Sequence, residues 1–352
     1  NYMPKFSSPT ILQERLFPVN QGSGYTIKKE CFMSVYTLVG HTHIEKFLHN
    51  YGLSLIQATP IKKGTVNSNY RISTNRGNYI MTIFENMQQV DISPIFSLTS
   101  QLYNLNLKCP MPIPDKQNNY IGSIANKPTA IISALPGDEP QPIQTVHAKH
   151  IGAWLGKMHY ISDSIRLPKI SNPMGTMWRS TTLQKIENLL NKTDKTNLDR
   201  IFSNIHTISM NGASFGFCHG DLFPDNSLFN DTTLCGVIDF YYACSSYFIY
   251  DLAICVNAWC FDDSGNFIES RYDALVTSYQ KYNPLSTIDT TLWNQALQLA
   301  ALRFWLSRLH SLYTVKKESM ISVKNPTPML RIIDFHLKHS LKLIPEAKPM
   351  AL

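Results

Sequence analysis

The residues that could carry chemistry are concentrated in one short stretch. Phe217-Cys218-His219-Gly220-Asp221-Leu222-Phe223-Pro224-Asp225-Asn226-Ser227-Leu228-Phe229 is followed, thirteen residues after Asn226, by Asp239 inside Cys235-Gly236-Val237-Ile238-Asp239-Phe240. Leu228-Phe229 and Val237-Ile238 are apolar strand pieces flanking the turn-forming Asn230-Asp231-Thr232-Thr233. A hairpin there would hold Asn226 and Asp239 at one end of a rigid unit. Phosphoryl transfer asks little covalent chemistry of a protein: magnesium bridging phosphate oxygens, and a carboxylate near the attacking hydroxyl. Magnesium prefers oxygen ligands and takes few from protein, so Asn226 and Asp239 are enough, while Asp221 would accept or orient the hydroxyl proton. A lone His-Gly-Asp would suit a capping loop equally well. The whole series of His219, Asp221, Asn226 and Asp239 is much harder to obtain by chance.

The elements that would position these groups can be read from periodicity. A short helix is expected from Thr42, with Ile44, Phe47 and Leu48 on one face and Gly52 as its stop. β-like stretches follow at Leu55–Ile61, Tyr70–Ser73 and Asn78–Phe84, the last two separated by the hairpin signal Thr74-Asn75-Arg76-Gly77. A helix is expected from about Pro94 to Leu105, then strands at Tyr120–Ile124 and Thr129–Ala134. Leu135-Pro136-Gly137 breaks the pattern as an interlobe hinge would. Beyond it the chain turns helical, at His147–His159, around Leu183–Leu190 and Leu198–Ile205, and at Leu292–Leu309. The expected class is α+β: a β-rich nucleotide-binding lobe over 33–134, then a hinge and helical lobe over 135–352, with the site in the cleft. Residues 1–32, polar and rich in Pro, Gly and Ser, read as a poorly ordered extension, because Met33-Ser34-Val35 resembles an ordinary protein start.

Composition narrows the function classes. Hydrophobic residues make up 43% of the 352, which suits a folded globular protein. The net charge of +7 is scattered, with only the adjacent pairs Lys28-Lys29, Lys62-Lys63 and Lys316-Lys317, so no nucleic-acid partner is expected. No stretch approaches the ~20 apolar residues of a membrane span. The seven cysteines form no CxxC pair and no zinc spacing, which fits a reducing cytoplasm. Oligomeric state leaves no trace in the sequence.

The catalytic stretch resembles the catalytic loop and metal-binding segment of the aminoglycoside phosphotransferase and choline kinase superfamily, relatives of protein kinases. More narrowly, His-Gly-Asp-Leu-Phe-Pro-Asp-Asn at 219–226, Ile238-Asp239-Phe240-Tyr241 and the run from Tyr250 to Cys260 are similar to the bacterial homoserine kinases of that superfamily. Gly77–Glu85 resembles their third strand and Ala301–Leu309 a late helix. The resemblance implies a protein-kinase-like two-lobed fold and transfer of the ATP γ-phosphate to the side-chain hydroxyl of L-homoserine, in threonine synthesis. It implies Asp221 as the catalytic residue, Asn226 and Asp239 as magnesium ligands, His219 as a scaffold of the loop and Asp251 as its anchor from beneath.

Other positions carry weaker signals. Gly64, Thr65, Asn67, Ser68 and Asn69 could present backbone N–H groups to ATP phosphates, although they suit an ordinary turn equally well. Ser133 and Leu135, beside the hinge, complete the expected nucleotide set. Thr82 stands near the place where kinase-like folds carry a Lys or Arg, which leaves Lys62, Lys63 and Arg71 as candidate phosphate cations. Arg303 and Arg308 lie in an apolar helix, where an uncompensated charge is costly, and either could meet the acceptor's α-carboxylate or, equally well, an internal salt-bridge partner. Tyr241, Tyr242, Asn257 and Trp259 could shape the acceptor pocket or belong to the core. Alternative functions are a kinase of another small alcohol, such as an amino sugar or choline, and a nucleotide-binding regulatory protein without catalysis.

Overall fold

Strands β1 (Leu55–Ile61), β2 (Ser68–Thr74), β3 (Gly77–Ile83), β4 (Gly122–Ile124) and β5 (Lys127–Ser133) pair antiparallel in the order β1-β2-β3-β5-β4. The computed structural model describes residues 37–61, 67–205, 210–315 and 323–343. The expected extension over 1–32, and with it Gly64, Thr65, Lys62 and Lys63, lies outside the described residues. Alternation along β2 and β3 sends Tyr70, Ile72, Met81 and Ile83 to one face, where Ile44, Phe47 and Leu48 of helix α1 (His41–His49) cover them. Phe84 and Ala130 pack instead on Ile92 and Phe96 of α2 (Gln89–Asn104).

Helix α2 begins five residues before the expected Pro94. Gln88 and Asp91 form a reciprocal capping box that satisfies the first N–H groups, so Pro94 is carried inside the helix rather than starting it.

Soon after β5 the chain meets the hairpin that follows Asn226. Asp138 and Phe229 exchange backbone hydrogen bonds of 2.9 and 2.8 Å, tying the segment after Leu135-Pro136-Gly137 to the strand that follows Asn226. The rest is mainly helical: α3 (Thr145–Ile161), α4 (Thr176–Ile186), α5 (Lys192–Asn204), α6 (Phe248–Trp259), α7 (Glu269–Gln280), α8 (Thr287–Thr314) and α9 (Thr327–Lys338). Helix α6 is buried on every side except at Ala258, as befits the apolar centre of a helical lobe. Gly152 and Gly156, one turn apart on α3, face the backbone oxygens of Leu275 and Tyr279 on α7. A Cβ there would come within 2.0 and 2.4 Å, so only glycine allows this approach. Two short antiparallel pairs project between sheet and helices: β6 (Phe215–Cys218) with β9 (Cys244–Tyr247), and β7 (Ser227–Asn230) with β8 (Thr233–Val237). Among the described residues no helix is long and apolar enough to cross a membrane.

Candidate active site

The loop between β6 and β7 is pinned from below. Asp251 on α6 accepts the backbone N–H groups of His219 (2.8 Å) and Gly220 (2.9 Å), and its second neighbour is the His159 ring at 3.1 Å. Burial alone would raise the Asp251 carboxyl, but the bond and charge of His159 and the backbone N–H of Gly220 hold it below the usual carboxylate range. Gly220 adopts φ +76°, and a Cβ there would lie 2.6 Å from the Tyr242 carbonyl oxygen. From the other side, Arg303 of α8 donates to the Gly220 carbonyl and Trp259 Nε1 donates to the Leu222 carbonyl at 3.0 Å. His219 is fully enclosed. The Asp221 N–H donates to its Nδ1 (3.2 Å), which leaves Nε2–H to donate to the Ile238 carbonyl (3.0 Å). Burial first of all keeps that ring neutral by lowering its pKa.

The chemistry-bearing groups gather above this loop. Asn226 Nδ2 donates to the Asp221 carbonyl (2.8 Å) and to Asp221 Oδ2 (3.1 Å), so its Oδ1 is the end left for a ligand. Asp239 stands at φ +65°, ψ +62°, at the mouth of the β7–β8 hairpin. Burial pushes the Asp221 carboxyl up to about 7; Arg303 opposes this, while Asp239 and Asp225 add to it. Asp239 is raised to about 6, again by the surrounding protein first, with Asp225 adding and the Tyr241 N–H opposing. Asp239 is nonetheless exposed, so a cation can reach it. The Asp239 carboxylate and the free Asn226 Oδ1 are hard-oxygen donors of the kind that fits a small divalent cation, while Asp225 is paired with Lys324 at 2.8 Å.

Several expected residues serve elsewhere. Trp259 is fully buried, and Asn257, 2% exposed, bonds the Leu297 carbonyl (2.9 Å) and His336 (2.7 Å); neither lines an acceptor pocket, because α6 runs through the core. Arg303, 3% exposed, lines the small cavity beneath the loop with Asp251 and Tyr250. Its guanidinium supports the loop rather than facing the cleft. Tyr241 turns toward the sheet, packing edge-on to Phe84 at 5.1 Å with its hydroxyl 3.4 Å from Thr82 Oγ1. Thr82 in turn donates to Asn69 Oδ1 at 2.8 Å. Ser68 points its hydroxyl at Glu85, and Asn67 Oδ1 accepts the Glu85 N–H, so their side chains are committed within the sheet lobe. Ser133 Oγ accepts from Met111 N, and Leu135 abuts Gly236 of β8. Arg308 alone of the two helix arginines lies at the surface side of α8, bonded to the Asn325 carbonyl. Pattern does not single out His159, Asp225 or Lys324. His159 has no local signature, and Asp225 is marked only by adjoining Asn226. His159, Cys218 and Asp251 bring their ligand atoms within 4.8 Å of one another, but Asp251 is already saturated by the loop and His159.

A five-stranded antiparallel sheet over a helical lobe, with this loop and hairpin between them, is the fold of the kinase-like phosphotransferases. The sequence profile described as "Phosphotransferase enzyme family" matches residues 57–285, and the chain belongs to that family. It is 33% identical over 313 residues to a homoserine kinase of Methylobacillus flagellatus, covering 88% of this chain and 96% of that protein. A homoserine kinase of Xanthobacter autotrophicus is 32% identical over 309 residues, 86% of this chain and 96% of that protein. Among solved structures, an amicoumacin kinase in complex with AMP-PNP, Ca2+ and Ami superposes with a TM-score of 0.66 at 16% identity, covering 84% of this chain and 92% of that one. Spectinomycin phosphotransferase in complex with ADP and spectinomycin gives 0.61 at 13% identity, over 85% and 99%. These structural likenesses speak for the fold.

Proposed function

We infer that this chain transfers the γ-phosphate of ATP to the side-chain hydroxyl of L-homoserine, the committed phosphorylation of threonine synthesis, in the cytoplasm. The observation that carries this reading is near-full-length similarity to proteins named homoserine kinase, in a chain that bonds Asn226 to Asp221 and ties the residue before Asp239 to the Asn226 carbonyl.

Asp221 would accept the hydroxyl proton. Its raised pKa, near 7, leaves it able to take up a proton at neutral pH once the acceptor is docked. Asn226 holds the Asp221 carboxylate in place through Nδ2, and Asn226 Oδ1 with Asp239 would hold magnesium. Bound there, magnesium would supply positive charge against the nucleotide's phosphates. Asp251, Arg303 and Trp259 keep the loop backbone in a single conformation, so the Asp221 carboxylate needs no reorganisation as the acceptor arrives.

A coupled ADP-release assay with Mg-ATP, comparing L-homoserine with serine, threonine, choline and kanamycin, tests this reading. Turnover selective for L-homoserine is expected. Turnover only with another of these alcohols would replace the acceptor and keep the chemistry. Absence of turnover with every acceptor would favour a non-catalytic nucleotide-binding role.

A further inference from the structure

The C-terminal part of α8 and the residues just before α9 bring three charges to one rim of the site. Lys324 Nζ lies 2.8 Å from Asp225 Oδ2, with side chains 55% and 30% exposed. Arg308 Nη1 donates to the carbonyl of Asn325 at 2.9 Å, which seats the 324–325 segment against α8 beside that pair. Asp225 immediately precedes Asn226. Asp225 and Lys324 both act electrostatically on Asp221 and Asp239, so the rim adjoins the point from which an acceptor hydroxyl would attack the γ-phosphate.

We propose that Asp225, Lys324 and Arg308 form the subsite for the zwitterionic head of the acceptor, with the carboxylate on Arg308 and Lys324 and the ammonium on Asp225. This rests on the homoserine reading above. In L-homoserine both head groups stand four bonds from the hydroxyl oxygen, so docking the hydroxyl at Asp221 leaves the head within a short reach. The rim suits it in three respects. A half-exposed Lys–Asp pair is held weakly, and a ligand bearing both charges can part it by giving each member a new partner of opposite sign. Arg308 is partly desolvated, and burial lowers its pKa with only the field of Asp225 opposing; among the described residues it has no carboxylate within ion-pair distance. Its planar fork therefore keeps donors free for a carboxylate. Finally, Phe223 and Phe304 pack edge to face at 4.6 Å, and Lys324 sits 5.7 Å above the Phe223 ring, giving the acceptor's methylenes an apolar wall. Arg303, by contrast, is 3% exposed beneath the loop, where it donates to the Gly220 carbonyl.

Steady-state kinetics with L-homoserine, 3-aminopropan-1-ol (no carboxylate) and 4-hydroxybutyrate (no ammonium) separate the roles. Arg308→Met and Lys324→Met are each expected to lower kcat/KM for L-homoserine roughly 10–100-fold, chiefly through KM, and to reduce its preference over 3-aminopropan-1-ol by a similar factor. Asp225→Asn should instead erode the preference over 4-hydroxybutyrate, and Arg308→Lys should recover part of the loss. Calorimetric titration of L-homoserine into wild type and Arg308→Met measures the same contact without turnover, with at least ~10-fold weaker binding expected. Unchanged preference ratios, or unchanged binding, overturn the subsite while the kinase reading stands. A wild type that turns over Mg-ATP with other acceptors but neither binds nor phosphorylates L-homoserine overturns the function reading and the subsite with it.

Discussion

Below the cleft, nearly every backbone group from His219 to Pro224 has a fixed partner. Asp251 takes two N–H groups, His219 takes the N–H of Asp221, and Arg303, Asn226, Trp259 and Ser227 take the carbonyls of Gly220, Asp221, Leu222 and Pro224. Above the cleft, the sheet wall is held to the loop by a lighter polar link: Tyr241 reaches Thr82 at 3.4 Å, and Thr82 leans on Asn69 at 2.8 Å. The denser anchoring of the sheet lobe, Glu85 with Lys127, Ser68 and Thr37, fastens Thr37 beside the neighbouring ends of β2, β3 and β5. The difference matches what the proposed function would ask of each side. A proton acceptor has to be fixed to within a fraction of an ångström, whereas a nucleotide would be gripped over a broad surface by a lobe that can shift.

Asp221→Asn tests the lower side most severely. It removes the proton acceptor while keeping the shape and the Asn226 contact, so kcat is expected to fall roughly 10²–10⁴-fold with ATP affinity little changed. Near-full kcat would remove Asp221 from its role. Asp251→Asn tests the pinning itself. It withdraws a buried charge from two backbone N–H groups and from His159, at a cost of about 3 kcal/mol in unfolding free energy, together with a drop in kcat. Urea unfolding at the wild-type midpoint would show that the loop does not depend on this anchor.

The same contrast governs how much was legible in the sequence. The lower site is carried by residues whose types are forced and whose spacing is local: Gly220 at positive φ, Asp221, Asn226 five on, and a hairpin ending at Asp239. The two-lobed architecture was legible too, because strand alternation and helical periodicity are strong over 55–133 and 145–309. What stayed hidden depends on distant partners. Asn257, Trp259 and Arg303 looked like pocket residues because polar and aromatic groups in an apolar run can face either a ligand or a buried backbone carbonyl. Only the fold shows that the carbonyls of Leu297, Leu222 and Gly220 are waiting there. Lys324, ninety-nine residues from Asp225, could not be paired with it by any local rule.

Glu85→Gln addresses the upper side. The carboxylate side chain is 2% exposed. Burial would raise its pKa, but hydrogen bonds from Lys127, Ser68 and Thr37 prevail and hold it below the ordinary value of 4.5. A carboxyl with a lowered folded pKa contributes stability that is present above its unfolded value and lost as pH falls through the folded one. The variant should therefore be less stable than wild type at pH 7, by about 1.5–3 kcal/mol for a charge-assisted hydrogen-bonded group, and the gap should narrow below about pH 4.5. Denaturant unfolding across that range measures it; a gap independent of pH would mean that the charge is not what anchors Thr37.

The smallest effect is expected from Tyr241→Phe. At 3.4 Å the hydroxyl contact with Thr82 is a long hydrogen bond, Thr82 keeps Asn69, and the ring keeps its edge-on packing against Phe84. Losing the hydroxyl should cost under about 0.7 kcal/mol and move the KM for ATP less than about 3-fold. A rise above tenfold would mean that this hydroxyl also works on the nucleotide or its cation. The upper wall would then be as tightly committed to the chemistry as the loop below it, and the contrast between the two sides would fail.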